Sequence, residues 1–574
     1  MSASGTAHPM TASISRLSCT SCRQKKLKCD RVLPQCGRCA RAGEEECSFP
    51  TKRKVNKGKR KQVRDLEEKL VQLESRIQTL SAGEATRPEE PDTSSSTGAL
   101  DGSSGGIVAA EPQDEGQPSS QDVADEEHHD EHSPTDVAST ELLEELTALY
   151  FDKLHHASPM IHRSRYLSSL RLSPSSQPPA CLQQMVMATG ASVIPIHAPL
   201  ANSLYRRGRA LAEADEMRDQ QDHPVCVAHV QCWLLIANFE ARNANFSRAC
   251  VSLGRAIRMA QLLNLHQLDR DSNSSPPSIF PTIMQPPQDW CELEERRRTW
   301  WVAYVSDRLL FATSGLPALI DDQDVFTLLP ASEEAFQNGS PEPASTLREA
   351  LRKIDITPST YGARVMAASL FYQASKTAPQ PNSDNLDDGE YCKQLQGIDH
   401  GLSALADMLP ANLQLPQNSS CQHAVFVNVL IHTATMCLHK TAAQKAKCLQ
   451  GPEAELLTRE SHNRMFAAAA KVLDVFQHTR DLVMALQNPI QDYTAYIAAL
   501  VFLQDFSVGR SEQSKCDALF LFGILQTAGE IHAVARMLSV QLGAQLEDCG
   551  IDIPQDDEID LDSLEAYRTR RNRG

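Results

Sequence analysis

The stretch Cys19-Thr20-Ser21-Cys22-Arg23-Gln24-Lys25-Lys26-Leu27-Lys28-Cys29-Asp30-Arg31-Val32-Leu33-Pro34-Gln35-Cys36-Gly37-Arg38-Cys39, followed by Cys47, decides how this chain begins to fold. Its cysteines are spaced C-x2-C-x6-C-x6-C-x2-C-x7-C, a pseudo-twofold pattern. Each C-x2-C pair can aim two sulfurs at one ion, and thiolates bind zinc tetrahedrally. Six sulfurs cannot fill two separate tetrahedral sites, which need eight. They can fill two sites that share a pair of bridging sulfurs. A disulfide framework would need an oxidising compartment, which nothing in the chain suggests. A single zinc would leave two cysteines spare and the regular spacing unexplained. The reading is therefore two structural Zn2+ ions held by Cys19, Cys22, Cys29, Cys36, Cys39 and Cys47, folding a segment too small for a core of its own.

Charge is distributed unevenly around this cluster. The 574-residue chain has a net charge of −17, yet residues 16–64 carry 16 Lys/Arg against 4 Asp/Glu. That end suits a polyanion and the remainder repels one. Residues 51–62 form a basic linker, with Lys52-Arg53-Lys54 and Lys59-Arg60-Lys61, which suits phosphate contacts and a nuclear localisation signal. Next, Val63, Leu66, Leu70, Leu73, Ile77 and Leu80 recur at spacings of 3 and 4. Branched aliphatics fall at a and Leu at d, with Lys69 at g and Glu74 at the following e. This pattern predicts a short parallel two-stranded coiled coil over 63–81, and hence a homodimer. A single amphipathic helix packed on its own chain is the competing reading.

Residues 82–138 hold 15 acidic residues, one Arg and no aromatic residue. Such a composition predicts a disordered acidic linker. From 139 onward helical periodicity dominates. One helix is predicted near Phe246–Leu263 and another from about Glu292 to Thr313, ended by Gly315 and Pro317. Further helical stretches fall near 423–438, 463–477, 492–508 and 517–542. No βαβ alternation is present, so the expected fold class is mostly α: a small two-zinc cysteine cluster, a short coiled coil and a large all-α regulatory domain. The tail 546–574 mixes Asp and Glu with Ile and Leu, a composition that weakly favours activation.

No apolar run approaches the ~18 residues of a membrane helix, and the N-terminus (1–15) lacks a secretory h-region, so neither a membrane nor a secreted protein is expected. Catalytic motifs are decoys only. Gly102-Ser103-Ser104-Gly105-Gly106 spells a nucleophile elbow inside the acidic tract with no strand before it, and His128-His129-Asp130-Glu131-His132 reads as a solvated run. No P-loop, G-x-G-x-x-G or H-E-x-x-H occurs, and no enzyme is expected.

The cysteine stretch, with its basic run between the second and third cysteines and Pro34 two residues before the fourth, resembles the fungal zinc binuclear cluster (six-cysteine) transcription factors. That resemblance implies that Cys19 and Cys36 bridge the two zincs, that Cys22 and Cys29 complete one site, and that Cys39 and Cys47 complete the other. It implies CGG-type half-sites in double-stranded DNA, read in the major groove by Lys25 and Lys26, since Lys can donate to guanine O6 and N7. Arg23 and Lys28 would be phosphate contacts.

Further along, Arg296-Arg297-Arg298-Thr299-Trp300-Trp301-Val302-Ala303-Tyr304-Val305-Ser306-Asp307-Arg308-Leu309 with Ser314-Gly315-Leu316-Pro317 resembles the middle regulatory domain of the same family. So do Gly254–His266, with Asn264 where the family usually has Gly, and Tyr150-Phe151 through Pro159-Met160-Ile161-His162. In this segment the aromatic residues are expected in the core, and Arg297 and Asp307 in structural ion pairs. The domains expected are 1–15 disordered, 16–50 zinc cluster, 51–62 basic linker, 63–81 coiled coil, 82–138 acidic linker, 139–345 middle domain, 346–545 further helical region and 546–574 tail.

The functional expectation is a nuclear, sequence-specific regulator of RNA polymerase II promoters that recruits transcriptional coregulators and controls a metabolic or secondary-metabolite gene cluster. The small-molecule inducer, target genes and sign of activity stay open. The alternative is a zinc-cluster interaction scaffold or corepressor without site-specific DNA binding.

Overall fold

The computed structural model describes residues 18–25, 27–42, 47–49, 140–218, 225–270, 284–352, 357–377, 388–447, 452–479, 485–486, 488–530 and 533–553. The predicted coiled coil at 63–81, the acidic linker and most of the 546–574 tail lie outside these residues. The chain divides into two compact units, 1–103 and 104–574.

Among its described residues the first unit holds two one-turn helices, α1 (Thr20–Gln24) and α2 (Gly37–Arg41). Its interior consists of Cys19, Cys22, Cys36 and Cys39, flanked by the half-buried Cys29, Cys47 and Phe49. With no aliphatic core among its described residues, the cysteine segment needs a metal or a covalent staple to stay folded.

The second unit is all helical among the described residues. Its helices are α3 (Thr140–Leu149), which runs on into a π-helical turn (Tyr150–Leu154), α4 (Arg163–Ser169), α5 (Ala180–Ala191), α6 (Ala198–Glu216), α7 (Val227–Arg242), α8 (Phe246–Leu262), α9 (Trp290–Ser314), α10 (Glu333–Asn338), α11 (Leu347–Arg352), α12 (Thr360–Lys376), α13 (Asp388–Asp407), α14 (Gln422–Ala446), α15 (Pro452–His478), α16 (Pro489–Gly509), α17 (Glu512–Gly529) and α18 (Ala533–Asp548). Short loops make sequence neighbours spatial neighbours, so α5 packs on α6, α7 on α8, α14 on α15 and α16 on α17.

The apolar residues form two cores. One gathers residues from Leu146 to Ala442, with Ile490; the other runs from Val425 to Ile551. Helix α14 serves both: Phe426, Leu430, Ala434 and Leu438 enter the first core, while Val425, Val429 and Met436 enter the second. A helix with a partner on each side must be apolar nearly all round. Helices α12, α13 and α14 share the first core with the helices before residue 346.

Local punctuation matches the sequence reading at several points. Asp289 caps α9 by accepting the Glu292 N–H, and Gly315 closes it in the left-handed region at φ 72°. Asn264 is also left-handed, at φ 56°. Asn tolerates that conformation better than other non-glycine residues, which explains how it stands where Gly is usual. The 517–542 stretch is two helices rather than one, with α17 ending at Gly529 and α18 starting at Ala533. Both bury apolar residues in the same second core, so periodicity alone does not reveal the break. In α8 the buried stripe is Ala249, Ser252, Leu253, Ala256, Ile257 and Ala260, and Cys250 is half-buried. Small residues on this stripe face α7, where Ser252 donates to the buried Glu240 carboxylate at 2.7 Å.

Candidate metal centre

The metal centre is built on the N-termini of two short helices. Cys19 immediately precedes α1 and Cys36 caps α2. Each sulfur accepts the backbone N–H three residues on: Cys22 N to Cys19 Sγ at 3.4 Å, and Cys39 N to Cys36 Sγ at 3.4 Å. Helix N-termini favour thiolate over thiol. The Cys39 N–H leads in holding the Cys36 thiol down at about 6. For Cys19 burial acts upward, but the Cys22 N–H and neighbouring thiols outweigh it and its pKa also falls. Burial instead pushes Cys22 up to about 12.

The six sulfurs form two tetrads. Cys19, Cys22, Cys29 and Cys36 lie with all ligand atoms within 4.8 Å of one another, and so do Cys19, Cys36, Cys39 and Cys47. Cys19 and Cys36 belong to both. The Sγ–Sγ separations are 3.8 Å for Cys19–Cys36, 3.7 Å for Cys19–Cys39, 3.8 Å for Cys22–Cys36 and 3.9 Å for Cys19–Cys29. A zinc ion with Zn–S bonds of about 2.3 Å requires tetrahedral edges of about 3.8 Å. The sulfurs present therefore fit two zinc ions sharing one edge.

Two further features hold this arrangement, and neither was singled out from the sequence. The Asp30 carboxylate accepts the Gly37 N–H at 2.9 and 3.2 Å, tying the residue after the third cysteine to the start of α2. A Cβ at Gly37 would lie 2.6 Å from Asp30 Oδ2, so the clamp needs a glycine there. Thr20 closes the unit: its N–H donates to Ser48 O at 2.9 Å, and its hydroxyl lies 2.7 Å from that of Ser48. The only signal for the clamp was an Asp directly after one cysteine and a Gly directly after another.

Of the expected DNA contacts, Lys25 lies exposed just past the end of α1 and Lys28 is exposed on the segment leading to Cys29. Arg23 lies within α1. Lys26 and the Arg23 side chain fall outside what is described, as do the expected dimer residues Val63, Leu66, Leu70, Leu73, Ile77 and Leu80.

In the second unit Trp300, Trp301 and Tyr304 are core residues, as expected. Trp301 Nε1 donates to Leu328 O at 2.7 Å, and Tyr304 Oη donates to Asp322 at 2.7 Å. Arg297 pairs with Asp269, and Asp307 pairs with Arg308 at 3.0 Å while accepting the Leu319 N–H at 2.9 Å. Arg298 is fully buried. It donates to Glu294 and Glu333, and to the carbonyls of Pro159, Ala331 and Ser332.

Comparison with known proteins agrees with both units. Residues 17–56 match the fungal Zn(2)-Cys(6) binuclear cluster domain, which binds two zinc ions and implies DNA binding. Residues 147–381 match the fungal specific transcription factor domain, which runs past the expected boundary at 345. The chain is 28% identical over 361 residues to a citrinin biosynthesis transcriptional activator of Monascus ruber, covering 60% of this chain and 68% of that one. A second, from Monascus purpureus, is 28% identical over 361 residues, with 60% of each chain covered. The sorbicillinoid biosynthetic cluster transcription factor 1 of Penicillium rubens is 26% identical over 542 residues, 84% of this chain and 86% of that one. No solved structure matches. These relatives are transcription factors and activators, and the chain is not an enzyme. No described helix is long and apolar enough to cross a membrane.

Proposed function

Because this chain belongs to the fungal zinc binuclear cluster transcription factors, with a fungal specific transcription factor domain behind the cluster, we propose that it is a nuclear, sequence-specific activator of a biosynthetic gene cluster. The observation that carries this reading is the pair of cysteine tetrads sharing Cys19 and Cys36, set beside a strongly basic segment. Zinc is structural here. Cys19 and Cys36 bridge the ions, Cys22 and Cys29 complete one site, and Cys39 and Cys47 the other. With zinc bound, the cluster fixes the direction of α1, so that Lys25 and Lys26 reach base edges in the major groove while Arg23, Lys28 and the 51–62 linker contact phosphates. Dimerisation through 63–80 would pair two CGG-type half-sites at a spacing set by linker and coil. The helical domain would receive the regulatory input and engage coregulators. The activating sign follows the two Monascus relatives, which are named activators, and the biosynthetic target follows all three.

The test is selection from random duplex DNA by the full chain loaded with zinc, with a parallel selection in chelator. CGG triplets enriched at a fixed spacing and lost in chelator are expected. Salt-sensitive binding without enrichment would refute site-specific recognition and favour an interaction scaffold. Cys36→Ser should lower bound zinc and DNA affinity together, since a bridging thiolate serves both ions; retention of both ions and of affinity would refute the bridging assignment.

A further inference from the structure

A cavity of about 110 Å³ lies inside the helical domain, between the π-helical turn after α3 and helices α5, α7, α9 and α12. Leu235, Val302 and Val305 line it with apolar side chains, and Tyr150, Arg242 and Arg364 line it too. Five arginines are buried among the described residues: Arg296, Arg297, Arg298, Arg308 and Arg364. Four have carboxylate partners: Arg296 with Glu292, Arg297 with Asp269, Arg298 with Glu294 and Glu333, and Arg308 with Asp307 and Asp322. Arg364, 5% exposed, pairs with no carboxylate among the described residues. It donates to His156 O at 3.2 Å and lies 3.9 Å over the Phe426 ring, and its Nε has no hydrogen-bond partner among the described residues. Tyr150, 1% exposed and lining the same cavity, has a hydroxyl that also lacks a partner among the described residues. Arg242, across the cavity, differs: it donates to Ser192 Oγ at 3.0 Å and has the Asp492 side chain as its acidic neighbour.

A buried guanidinium without a counter-charge is costly, and such a group on a cavity marks a candidate ligand site. Burial lowers the pKa of Arg364 only to about 10, so it remains a cation at neutral pH. A planar carboxylate matches the guanidinium geometry and can also accept the Tyr150 O–H. The apolar wall suits an aliphatic or aromatic body better than a phosphate or sulfate ion.

We propose that this cavity binds a small organic acid, its carboxylate held by Arg364 and Tyr150 and its hydrocarbon part lying against Val302, Val305 and Leu235. Because the acid would join helices of several segments, it stabilises the helical domain when bound. The regulatory meaning of that step rests on the transcription-factor reading, but occupancy is measured without DNA, so either can fail alone.

The test is thermal unfolding of the full zinc-loaded chain in rising butyrate, hexanoate and benzoate at constant ionic strength, against the matching amides and inorganic phosphate. At least one acid should raise the melting temperature saturably, by roughly 5 °C at a hundredfold excess over its Kd, while its amide and phosphate do not. Arg364→Met should abolish the rise and melt at or above the wild-type temperature without ligand, since it removes an unpaired buried charge. Arg364→Lys should weaken the response several-fold by losing the two-pronged contact. A saturable response to none of the acids, an equal response to acid and amide, or an Arg364→Met chain that melts lower than wild type would overturn the proposal; the last would mark Arg364 as a structural cation.

Discussion

Gly37→Ala makes the strongest test of how the metal centre is held. The added Cβ would sit 2.6 Å from Asp30 Oδ2, well inside van der Waals contact. The carboxylate is the end of a short side chain and can swing away, so the clash itself is inexpensive. What is lost is the pair of contacts, at 2.9 and 3.2 Å, from the Gly37 N–H to the Asp30 carboxylate at the start of α2. Removing such a cap costs about 1–2 kcal/mol. Alanine recovers about 0.5–1 kcal/mol over glycine within a helix. Gly37→Ala alone should therefore cost about 0.5–1 kcal/mol, and Asp30→Ala about 1–2 kcal/mol, which corresponds to a roughly 5- to 30-fold loss of zinc affinity. In the Asp30→Ala background the sign reverses: Gly37→Ala should now strengthen zinc binding, because the clamp is already gone. The coupling energy expected from the cycle is about 1–2 kcal/mol. Competition for zinc against a chromophoric chelator measures all four variants. If the two substitutions are additive within about 0.3 kcal/mol, the clamp does not hold the site and the reasoning is refuted.

Three other outcomes follow from the same contacts. Arg298→Met should destabilise the helical domain by about 3–5 kcal/mol in urea unfolding, because the buried Glu294 loses its hydrogen-bonded arginine, keeping only Arg297 at 3.7 Å, and three carbonyls lose a donor; Arg163→Met, whose pair with Asp152 is half-exposed, should cost at most about 1 kcal/mol, and equal costs would argue against burial as the cause. Burial depresses His155, His423 and His432 to about 4 and His156 to about 3, so these histidines are neutral when folded and near 6.5 when unfolded. Their contribution is fully present above pH 6.5 and is lost as pH falls towards 4, by about 2 kcal/mol apiece at pH 5; a melting temperature that stays flat between pH 7 and 5 would contradict this. Lys26→Ala should weaken binding to the selected site by about 1–3 kcal/mol and to random DNA by less, and an equal loss on both in titrations at fixed salt would make Lys26 a phosphate contact.

The parts of this protein legible in its sequence are those whose physics is local. A C-x2-C turn brings two sulfurs together within four residues, so the tetrads could be counted before any fold was known. Cap residues act over one turn, and for that reason Gly315 and the start of α9 were readable within two or three residues. Helical periodicity picked out α8, α9 and the stretches that hold α14 to α18, but it did not separate α17 from α18, because both bury the same kind of side chain. Three consecutive arginines look alike on paper. At about 100° per residue they leave α9 in three directions: helical spacing alone gives Arg296 its Glu292, but only packing sends Arg297 to Asp269 and Arg298 into a buried knot with Glu333.

The sequence by itself determined the metal, the polyanion-facing end and the helical class, since these follow from spacing, charge and period. Tertiary structure alone decided that α14 is shared by two cores, that Asp30 clamps Gly37, and that Arg364, among the described residues, is the buried arginine left without an acid. Each of these depends on which distant residues come to lie beside one another, and a missing partner leaves no trace along the chain.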